Sequence, residues 1–457
     1  MAERWDLVVQ GGTVITTSES FVADVAVSQG RVAALGRLEG LAAAQGAQVV
    51  DAEGMVVVPG GVDCHVHLDM PYGGSTNSDD FASGSVAALF GGTTTIIDFA
   101  TPGKGEALEL GFEARRRKAD GRCSTDYGFH MVMTRVCDKT LREMDRMVRQ
   151  GVTSFKLFTS NPQRLMSDDG AIFRAMRRTR DNGGLVCMHA ENGRVIEELI
   201  REALAAGNTG PRFHPLTRPM EAEAEATARV IALAEMAGAP VYVMHLSAAR
   251  ALDEVRRGRK RGVKVLSETC PQYLFLTADE YERPGFEAAK FVSSPPLRPR
   301  GNETRLWQAL RDGELQAVST DHCSFSMRSK GGKPRGAPGI GTRMLLMWDA
   351  AQRGRISPQR FVEVVASAPA RIFGLYPRKG HLAPGADADI VVIDPRKTHA
   401  FGVASHHLRV DYEPYEGRTA HGVIREVFLR GRRMVSHGRF VGKPGGGAFL
   451  RRAPRDF

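Results

Sequence analysis

The fold is decided by an apolar run of strand length that carries two histidines, VDCHVHL at residues 62–68. Similar runs recur along the chain with helix-length segments between them, at residues 93–100, 127–133, 153–159, 184–191, 239–247, 263–270 and 315–323. Continuous apolar strands are typical of a parallel sheet, because helices cover both of its faces. Strands that alternate with helices in this way predict an α/β fold, a (β/α)8 barrel, with a doubly wound open sheet as the alternative.

One of the connecting segments has a clear helical pattern. It is EAEAEATARVIALAEMAGAP, residues 221–240, and its apolar residues share one helical face at Ala226, Val230, Leu233 and Ala237. We expect Gly238 and Pro240 to end this helix before the next strand begins. The segment therefore supports the alternation of strands and helices.

The two ends of the chain have a different pattern from the middle. Short β-branched runs separated by Gly-rich turns fill residues 1–57, and the same style returns in residues 380–457. This pattern predicts that the two ends pair in one accessory β-sandwich domain. The barrel is then expected to occupy residues 58–379.

The composition excludes several classes of protein. Of the 457 residues, 42% are hydrophobic and 25% are charged, which is typical of a globular chain rather than a disordered one. No run of about 18–20 apolar residues indicates a membrane span, and the N-terminus lacks the apolar segment of a secretory signal. Six cysteines without CxxC spacing predict reduced thiols and a cytoplasmic protein.

The net charge of +10 is the unusual feature of the composition. A basic protein could bind nucleic acid or an anionic membrane. No nucleic-acid-binding motif accompanies the charge, and no GxGxxG or GxxxxGK[ST] loop follows any of the predicted strands. We therefore expect neither nucleic acid nor a membrane as a partner.

Polar residues with metal-binding chemistry lie near the ends of the predicted strands, at His65, His67, Lys156, His189, His245 and Asp321. The carboxyl ends of barrel strands converge on one face, so these side chains are expected to share a centre. Imidazole and carboxylate are the usual ligands of zinc, manganese, iron and nickel. An isolated HxH pair is more often a chance surface feature, but the later polar positions favour a metal site.

Lys156 requires a separate explanation. An ammonium group beside a divalent cation is strongly unfavourable, so this lysine either loses its proton or is chemically changed. A carbamate formed with CO2 would turn the cation into an anion with two oxygens, able to bridge two metals. The alternative is a lysine whose stem is buried and whose head group reaches solvent.

Short sequence words along nearly the whole chain resemble those of the dihydropyrimidinase/hydantoinase family, a branch of the amidohydrolase superfamily. They are PGGVDCHVHLD, GGTTTIIDF, SFKLF, MHAENG, VMHLS, SETCPQYL, SSPPLR and STDHCSF. The resemblance implies a (β/α)8 barrel with a small β-sandwich and a small cyclic amide as the substrate. It also implies assembly as a homotetramer, with a homodimer as the alternative.

The resemblance implies a role for each residue of the predicted site. The metal ligands would be His65, His67 and Asp321 for one divalent ion and His189 and His245 for a second, with a carboxylated Lys156 as the bridge. Zinc is the expected metal and manganese the alternative. A hydroxide between the ions would attack the ring carbonyl of a hydantoin or dihydropyrimidine. Asp321 would carry the proton to the leaving nitrogen, which gives an N-carbamoyl product.

The predicted substrate contacts depart from the family pattern at two positions. Asn161 stands where the family usually has a tyrosine that stabilises the oxyanion, and Arg335 stands where the family has an asparagine. Ser294 matches the family serine that contacts the ring amide. Arg335 could pair with a carboxylate on the substrate, or its side chain could point to solvent. Allantoin, dihydroorotate and cyclic imides therefore remain alternative substrates, whereas the intact ligand set argues against a non-catalytic assembly protein.

Overall fold

The computed structural model describes residues 4–38, 46–72, 75–332 and 335–455. Its strands, in chain order, are β1 (Leu7–Ile15), β2 (Ser20–Ser28), β3 (Arg31–Gly36), β4 (Gln48–Asp51), β5 (Val56–Pro59), β6 (Gly61–Asp63), β7 (Val66–His67), β8 (Pro71–Tyr72), β9 (Ser75–Thr76), β10 (Thr93–Ala100), β11 (Asp126–Val132), β12 (Ser154–Phe158), β13 (Leu185–His189), β14 (Val241–Val243), β15 (Val265–Thr269), β16 (Ala317–Val318), β17 (His322–Cys323), β18 (Ile390–Ala400), β19 (Thr419–Leu429), β20 (Arg432–Ser436) and β21 (Arg439–Phe440).

The helices of the described residues lie between and beside these strands. They are α1 (Phe81–Phe90), α2 (Leu108–Ala119), α3 (Asp138–Arg149), α4 (Asp169–Asn182), α5 (Gly193–Ala205), α6 (Phe213–Leu216), α7 (Met220–Ala237), α8 (Ala249–Lys260), α9 (Pro271–Phe275), α10 (Asn302–Arg311), α11 (Met327–Lys330), α12 (Arg343–Gln352), α13 (Pro358–Val362) and α14 (Ala368–Ile372), with 3₁₀ turns at Ala278–Glu282 and Glu287–Phe291 and a π turn at Glu363–Ser367. Across the described residues, none of these helices combines the length and the apolar character needed to cross a membrane.

The runs predicted as strands form one eight-stranded parallel sheet, in the spatial order β6, β10, β11, β12, β13, β14, β15, β16. The first and last runs also meet, because β17 pairs in parallel with β7 and places His322 beside Val66. This contact closes the sheet. The prediction of a (β/α)8 barrel is therefore confirmed, and the open doubly wound sheet is excluded.

A second sheet takes strands from both ends of the chain. Its nine strands follow the order β21, β20, β19, β18, β5, β1, β2, β3, with β4 against β1. Most neighbours are antiparallel, but β1 runs parallel to β4 and β5. The sheet encloses a small apolar core of its own, which includes Val9, Val25, Val57, Val392 and Phe428. The prediction that both ends build one accessory β unit is confirmed.

The helix predicted after residue 220 is α7. The four apolar residues assigned to its inner face, Ala226, Val230, Leu233 and Ala237, are all buried. Gly238 follows in the left-handed conformation, with φ of 62°, and its N–H bonds to the carbonyl of Ala234. A residue with a Cβ would be strained at this angle, which explains why the helix ends at a glycine.

Candidate metal centre and substrate cavity

A cavity of about 520 Å³ opens at the carboxyl ends of the barrel strands. Its lining includes every residue that the sequence assigned to the metal site or the substrate site, namely His65, His67, Lys156, Asn161, His189, His245, Ser294, Asp321 and Arg335. Strand ends from different parts of the chain converge there because the barrel strands are parallel. The structure thus brings the whole predicted set together on one face.

The chain turns sharply at two of the predicted ligands. His245 follows β14 with φ of 38°, and Asp321 lies between β16 and β17 with φ of 50°. Non-glycine residues rarely adopt the left-handed region, and such strained residues cluster at functional sites. These two turns carry the side chains away from the strand directions and toward the cavity.

Asp321 lies at the centre of one half of the cluster. Its Oδ1 is 3.1 Å from Nε2 of His65 and 3.2 Å from Nε2 of His67. Burial by itself would raise the pKa of the Asp321 carboxyl, but the adjacent imidazoles of His65 and His67 hold it well below its ordinary value. Asp321 is therefore a carboxylate at neutral pH, as a metal ligand or a base must be.

His189 and His245 form the other half of the cluster. Nδ1 of His189 and Nε2 of His245 are 3.0 Å apart. Burial lowers the pKa of His245 well below its ordinary value, and the charge of Lys156 lowers it further. His245 is therefore neutral, which is the form of histidine that binds metals. One ligand atom from each of His65, His245 and Asp321 also falls within 4.8 Å of the others, a spacing that could hold an ion.

Several buried imidazole nitrogens in the cavity form no hydrogen bond with the described residues. Nε2 of His65, Nδ1 of His67 and Nδ1 of His245 are buried and have no hydrogen-bond partner among the described residues. Buried polar atoms are nearly always bonded, so unbonded ones require an explanation. Nitrogen donors grouped with a carboxylate are the set that zinc and similar divalent ions prefer. The residues present therefore fit a metal centre.

Comparisons with known proteins place the chain in a family. The model of the amidohydrolase family matches residues 56–434. D-hydantoinase from Streptomyces coelicolor is 49% identical, over 98% of both chains, and D-hydantoinase from Geobacillus stearothermophilus is 43% identical, over 97% of this chain and 96% of that protein. The crystal structure of dihydropyrimidinase from Brevibacillus agri superposes with a TM-score of 0.96 at 42% identity, covering 98% of this chain and 99% of the other. The chain belongs to the hydantoinase/dihydropyrimidinase family of cyclic amidohydrolases.

The lysine of this cyclic amidohydrolase is fully enclosed. Lys156 is 2% exposed, so the alternative in which its head group reaches solvent is wrong. Its Nζ lies 2.9 Å from Sδ of Met244 and 5.3 and 5.1 Å from the ring centroids of Phe99 and Phe158. Burial lowers the pKa of Lys156 to about 8, although the charges of Asp321 and Glu268 act to raise it. The amine therefore loses its proton more easily than an ordinary lysine.

Sequence reasoning missed two carboxylates that contact the predicted ligands of this cyclic amidohydrolase. Glu268 Oε1 is 2.6 Å from Nδ1 of His65, and Glu191 Oε2 is 2.7 Å from Nε2 of His189. Both glutamates are buried, at 0% and 2% exposure. A signal was present in the sequence, because each is an acidic residue within a run of buried strand character, and buried acids require partners.

The predicted substrate contacts Asn161, Ser294 and Arg335 also line the cavity. Ser294 Oγ is buried and has no hydrogen-bond partner in the described parts of the chain. Asn161 has a left-handed backbone, with φ of 61°, and its carbonyl accepts the N–H groups of Arg164, Leu165 and Met166. Asparagine tolerates this conformation better than most residues do. Asn161 therefore begins a tight turn at the cavity wall.

Arg335 is half-buried and lines the cavity. Burial lowers the pKa of the neighbouring His214 well below its ordinary value, and the charges of Arg218 and Arg335 lower it further. Two guanidinium groups that line the cavity therefore disfavour protonation of His214. Apolar residues also line the cavity, at Met70, Phe158, Leu165, Ile196 and Ile200.

Proposed function

We propose that this cyclic amidohydrolase opens the ring of a 5-substituted hydantoin or a dihydropyrimidine and releases an N-carbamoyl amino acid. The observation that carries the proposal is the set of buried, unbonded imidazole nitrogens beside Asp321, in a chain 49% identical to a D-hydantoinase. The D enantiomer is the expected substrate, because relatives named D-hydantoinase are 38–49% identical while the solved L-hydantoinase from Arthrobacter aurescens is 28% identical.

The predicted ligands divide between two divalent ions. The first ion would be held by His65, His67 and Asp321. The second ion would be held by His189 and His245, and a carboxylated Lys156 would bind both ions. Zinc is the expected metal, with manganese as the alternative. When bound, the ions supply a water of lowered pKa and polarise the ring carbonyl. The unbonded Nε2 of His65 and Nδ1 of His67 and His245 support this assignment.

Carboxylation of Lys156 is supported by the surroundings of its amine. The neutral amine would attack CO2, so that an N–C bond forms and one proton leaves to solvent. The pKa of about 8 makes the neutral form accessible near neutral pH. The reaction replaces a buried cation with a carbamate anion, which removes the repulsion between Lys156 and the metals.

Asp321 would carry the proton of the reaction. Its low pKa keeps it ionised, and Oδ1 lies against His65 and His67, which leaves its other oxygen able to accept a proton from the attacking water. The same carboxyl group would then donate that proton to the departing ring nitrogen. Protonation makes the ring nitrogen a better leaving group.

The remaining polar residues that line the cavity would orient the ring. Ser294 Oγ, which has no other partner among the described residues, would bond the ring amide, and the side-chain amide of Asn161 would donate to the carbonyl oxygen as charge develops on it. The apolar residues Phe158, Leu165 and Ile196 would enclose the 5-substituent. An acidic ring, such as dihydroorotate, is a second candidate substrate because Arg335 lines the cavity.

Turnover of a panel of rings by metal-replete protein tests the proposed function. The panel contains both enantiomers of 5-aryl and 5-alkyl hydantoins, dihydrouracil, allantoin, dihydroorotate and succinimide. We expect N-carbamoyl product from the D-hydantoins, its loss after chelation, and its return when metal is added. No turnover of any ring by protein that holds two metals per chain would contradict the proposal.

Two further expectations concern the protein as a whole. Six free cysteines support a cytoplasmic location, where thiols stay reduced. Assembly as a homotetramer, with a homodimer as the alternative, follows from the family resemblance. Sedimentation of the purified chain distinguishes these two assemblies.

A further inference from the structure

Glu268 is a buried carboxylate that touches predicted ligands of both metals. Its Oε1 lies 2.6 Å from Nδ1 of His65 and 3.2 Å from the backbone nitrogen of His245. Its Oε2 accepts hydrogen bonds from the hydroxyl of Tyr242, at 2.9 Å, and from Sγ of Cys64, at 3.3 Å. Both oxygens are therefore fixed, and the carboxylate cannot rotate without breaking several bonds.

The contact with Glu268 determines where His65 carries its proton. An ionised carboxylate only accepts hydrogen bonds, so the hydrogen in this bond belongs to Nδ1 of His65. Nε2 of the neutral ring then has a lone pair. This is the nitrogen that faces Asp321 across 3.1 Å and has no hydrogen-bond partner in the described residues.

Glu268 also acts on the backbone of His245. The backbone of His245 has φ of 38°, which is strained for a residue other than glycine. The N–H of His245 donates to Glu268 Oε1. The hydrogen bond stabilises the turn that directs the imidazole of His245 toward His189.

Glu191 makes the corresponding contact with His189, but at the other ring nitrogen. Its Oε2 lies 2.7 Å from Nε2 of His189, so that nitrogen carries the proton and Nδ1 has the lone pair. Nδ1 is also the atom that faces Nε2 of His245 at 3.0 Å. The backbone N–H of Glu191 bonds to Oγ1 of Thr159 at 3.1 Å, which fixes the position of the glutamate.

We propose that Glu268 and Glu191 are positioning residues that hold His65 and His189 in opposite tautomers, and so determine which nitrogen of each ring binds metal. Glu268 acts on a ligand of each ion, whereas Glu191 acts on a ligand of the second ion alone. Carboxylates that orient metal-binding histidines from behind are a general device in metalloproteins. The inference rests on the proposed function, since it takes the two ions as given.

Metal titration of variants tests this inference without measuring turnover. Metal-free protein is titrated with Zn²⁺ in competition with a chromophoric chelator, for wild type, Glu191→Gln and Glu268→Gln. Glutamine keeps the size of the side chain, but its amide can donate to the imidazole and so favour the wrong tautomer. We expect Glu191→Gln to weaken one of the two equivalents about 10–100-fold and Glu268→Gln to weaken both.

Glu143→Gln is the matched control. Glu143, in α3, is also buried, at 2% exposure, and its carboxylate accepts the backbone N–H of Leu108 at 3.0 Å. None of its bonded partners among the described residues is a predicted ligand. Both zinc equivalents of Glu143→Gln are expected to match wild type, so a general effect of removing a buried charge would appear in this variant as well.

The visible spectrum of the Co²⁺-substituted protein gives a second readout, because ligand-field bands report which atoms surround the ion. We expect changed bands for one ion in Glu191→Gln and for both in Glu268→Gln, with the wild-type spectrum in Glu143→Gln. Wild-type affinities and spectra in Glu191→Gln overturn the inference, and this holds even if Glu268→Gln does not fold. Wild-type protein that binds no metal would instead remove the proposed function itself.

Discussion

Two buried lysines at different ends of the barrel have opposite surroundings. Lys379 is 1% exposed, and its Nζ lies 2.7 Å from Asp126, 2.8 Å from Asp389 and 3.0 Å from Asp387. Asp126 begins β11, so this cluster lies at the amino ends of the strands. Lys156 is 2% exposed at the other end and, within the described chain, forms no ion pair; its close polar contact is the sulfur of Met244.

The difference shows that the partners of a buried lysine, rather than its burial, determine whether its amine stays charged. Burial alone would lower the pKa of Lys379, but its three carboxylates raise it above its ordinary value, so the amine stays charged. Burial lowers the pKa of Lys156 to about 8. Burial also lowers the pKa of a third lysine, Lys330, to about 7, but its Nζ donates to the carbonyls of Val292 and Gly336. The amine of Lys330 is bonded to two backbone carbonyls, whereas the amine of Lys156 contacts the sulfur of Met244 at the edge of the cavity.

Lys156→Met gives the largest expected effect on activity. Methionine suits the apolar surroundings of Met244, Phe99 and Phe158, so we expect a folded protein with an unchanged or higher melting temperature. Without the bridging group, bound metal and hydantoin hydrolysis should fall to background. Elemental analysis and product formation measure both losses. Substantial turnover by Lys156→Met would show that this lysine is not part of the metal centre.

Asp321→Asn should lower kcat by about 10²–10⁴-fold, the usual contribution of a general acid and base. The amide keeps the shape of the side chain but cannot accept a proton. Asp389→Asn, in the cluster around Lys379, is the matched control. It removes a buried carboxylate of the same size, and we expect it to lose stability while the folded protein keeps its kcat. Similar losses of kcat in the two variants would contradict the assignment of proton transfer to Asp321.

Lys379→Met should destabilise the protein while the folded molecules remain active. The substitution leaves three buried carboxylates without their shared cation, and breaking a buried pair on one side typically costs about 3–5 kcal/mol. Urea unfolding followed by circular dichroism measures the loss in free energy of unfolding. An unchanged urea midpoint, combined with a reduced kcat, would reverse the structural and reactive roles of the two lysines.

The fold is predictable because a strand buried on both faces of a parallel sheet requires a continuous run of apolar residues, which is visible in the local sequence. The apolar pattern predicts the last run, residues 315–323, as one strand, yet the structure divides it into β16 and β17 around the left-handed Asp321. Apolar patterning carries no information on the backbone angle of a single aspartate. The apolar pattern therefore predicts the strand but not the turn that directs the side chain of Asp321.

The predicted ligands can be found from the order of the strands in the sequence, because each lies near a strand end. The glutamates that contact them, Glu268 and Glu191, cannot be found in this way. Glu268 lies 203 residues from His65 in the chain, and the two meet only when the barrel places β15 near the first run. The sequence also left two alternatives for Lys156, a buried amine and a head group that reaches solvent, because their difference is set by the tertiary structure. Whether a lysine head group reaches solvent depends on the depth of a cavity, which no single segment encodes.

Arg335→Ala should give the smallest effect, and it concerns the choice of substrate. A partly exposed ion pair contributes up to about 1 kcal/mol, so kcat/KM for an acidic ring should fall up to about fivefold while neutral hydantoins are unaffected. Arg335→Lys keeps the charge and should retain part of the preference. Arg335 is half-buried at the cavity and is neither a predicted metal ligand nor, among the described residues, a partner of a buried charge, so neither metal content nor stability should change. Equal losses on neutral and acidic rings would show that Arg335 acts through its backbone and that its charge does not select the substrate.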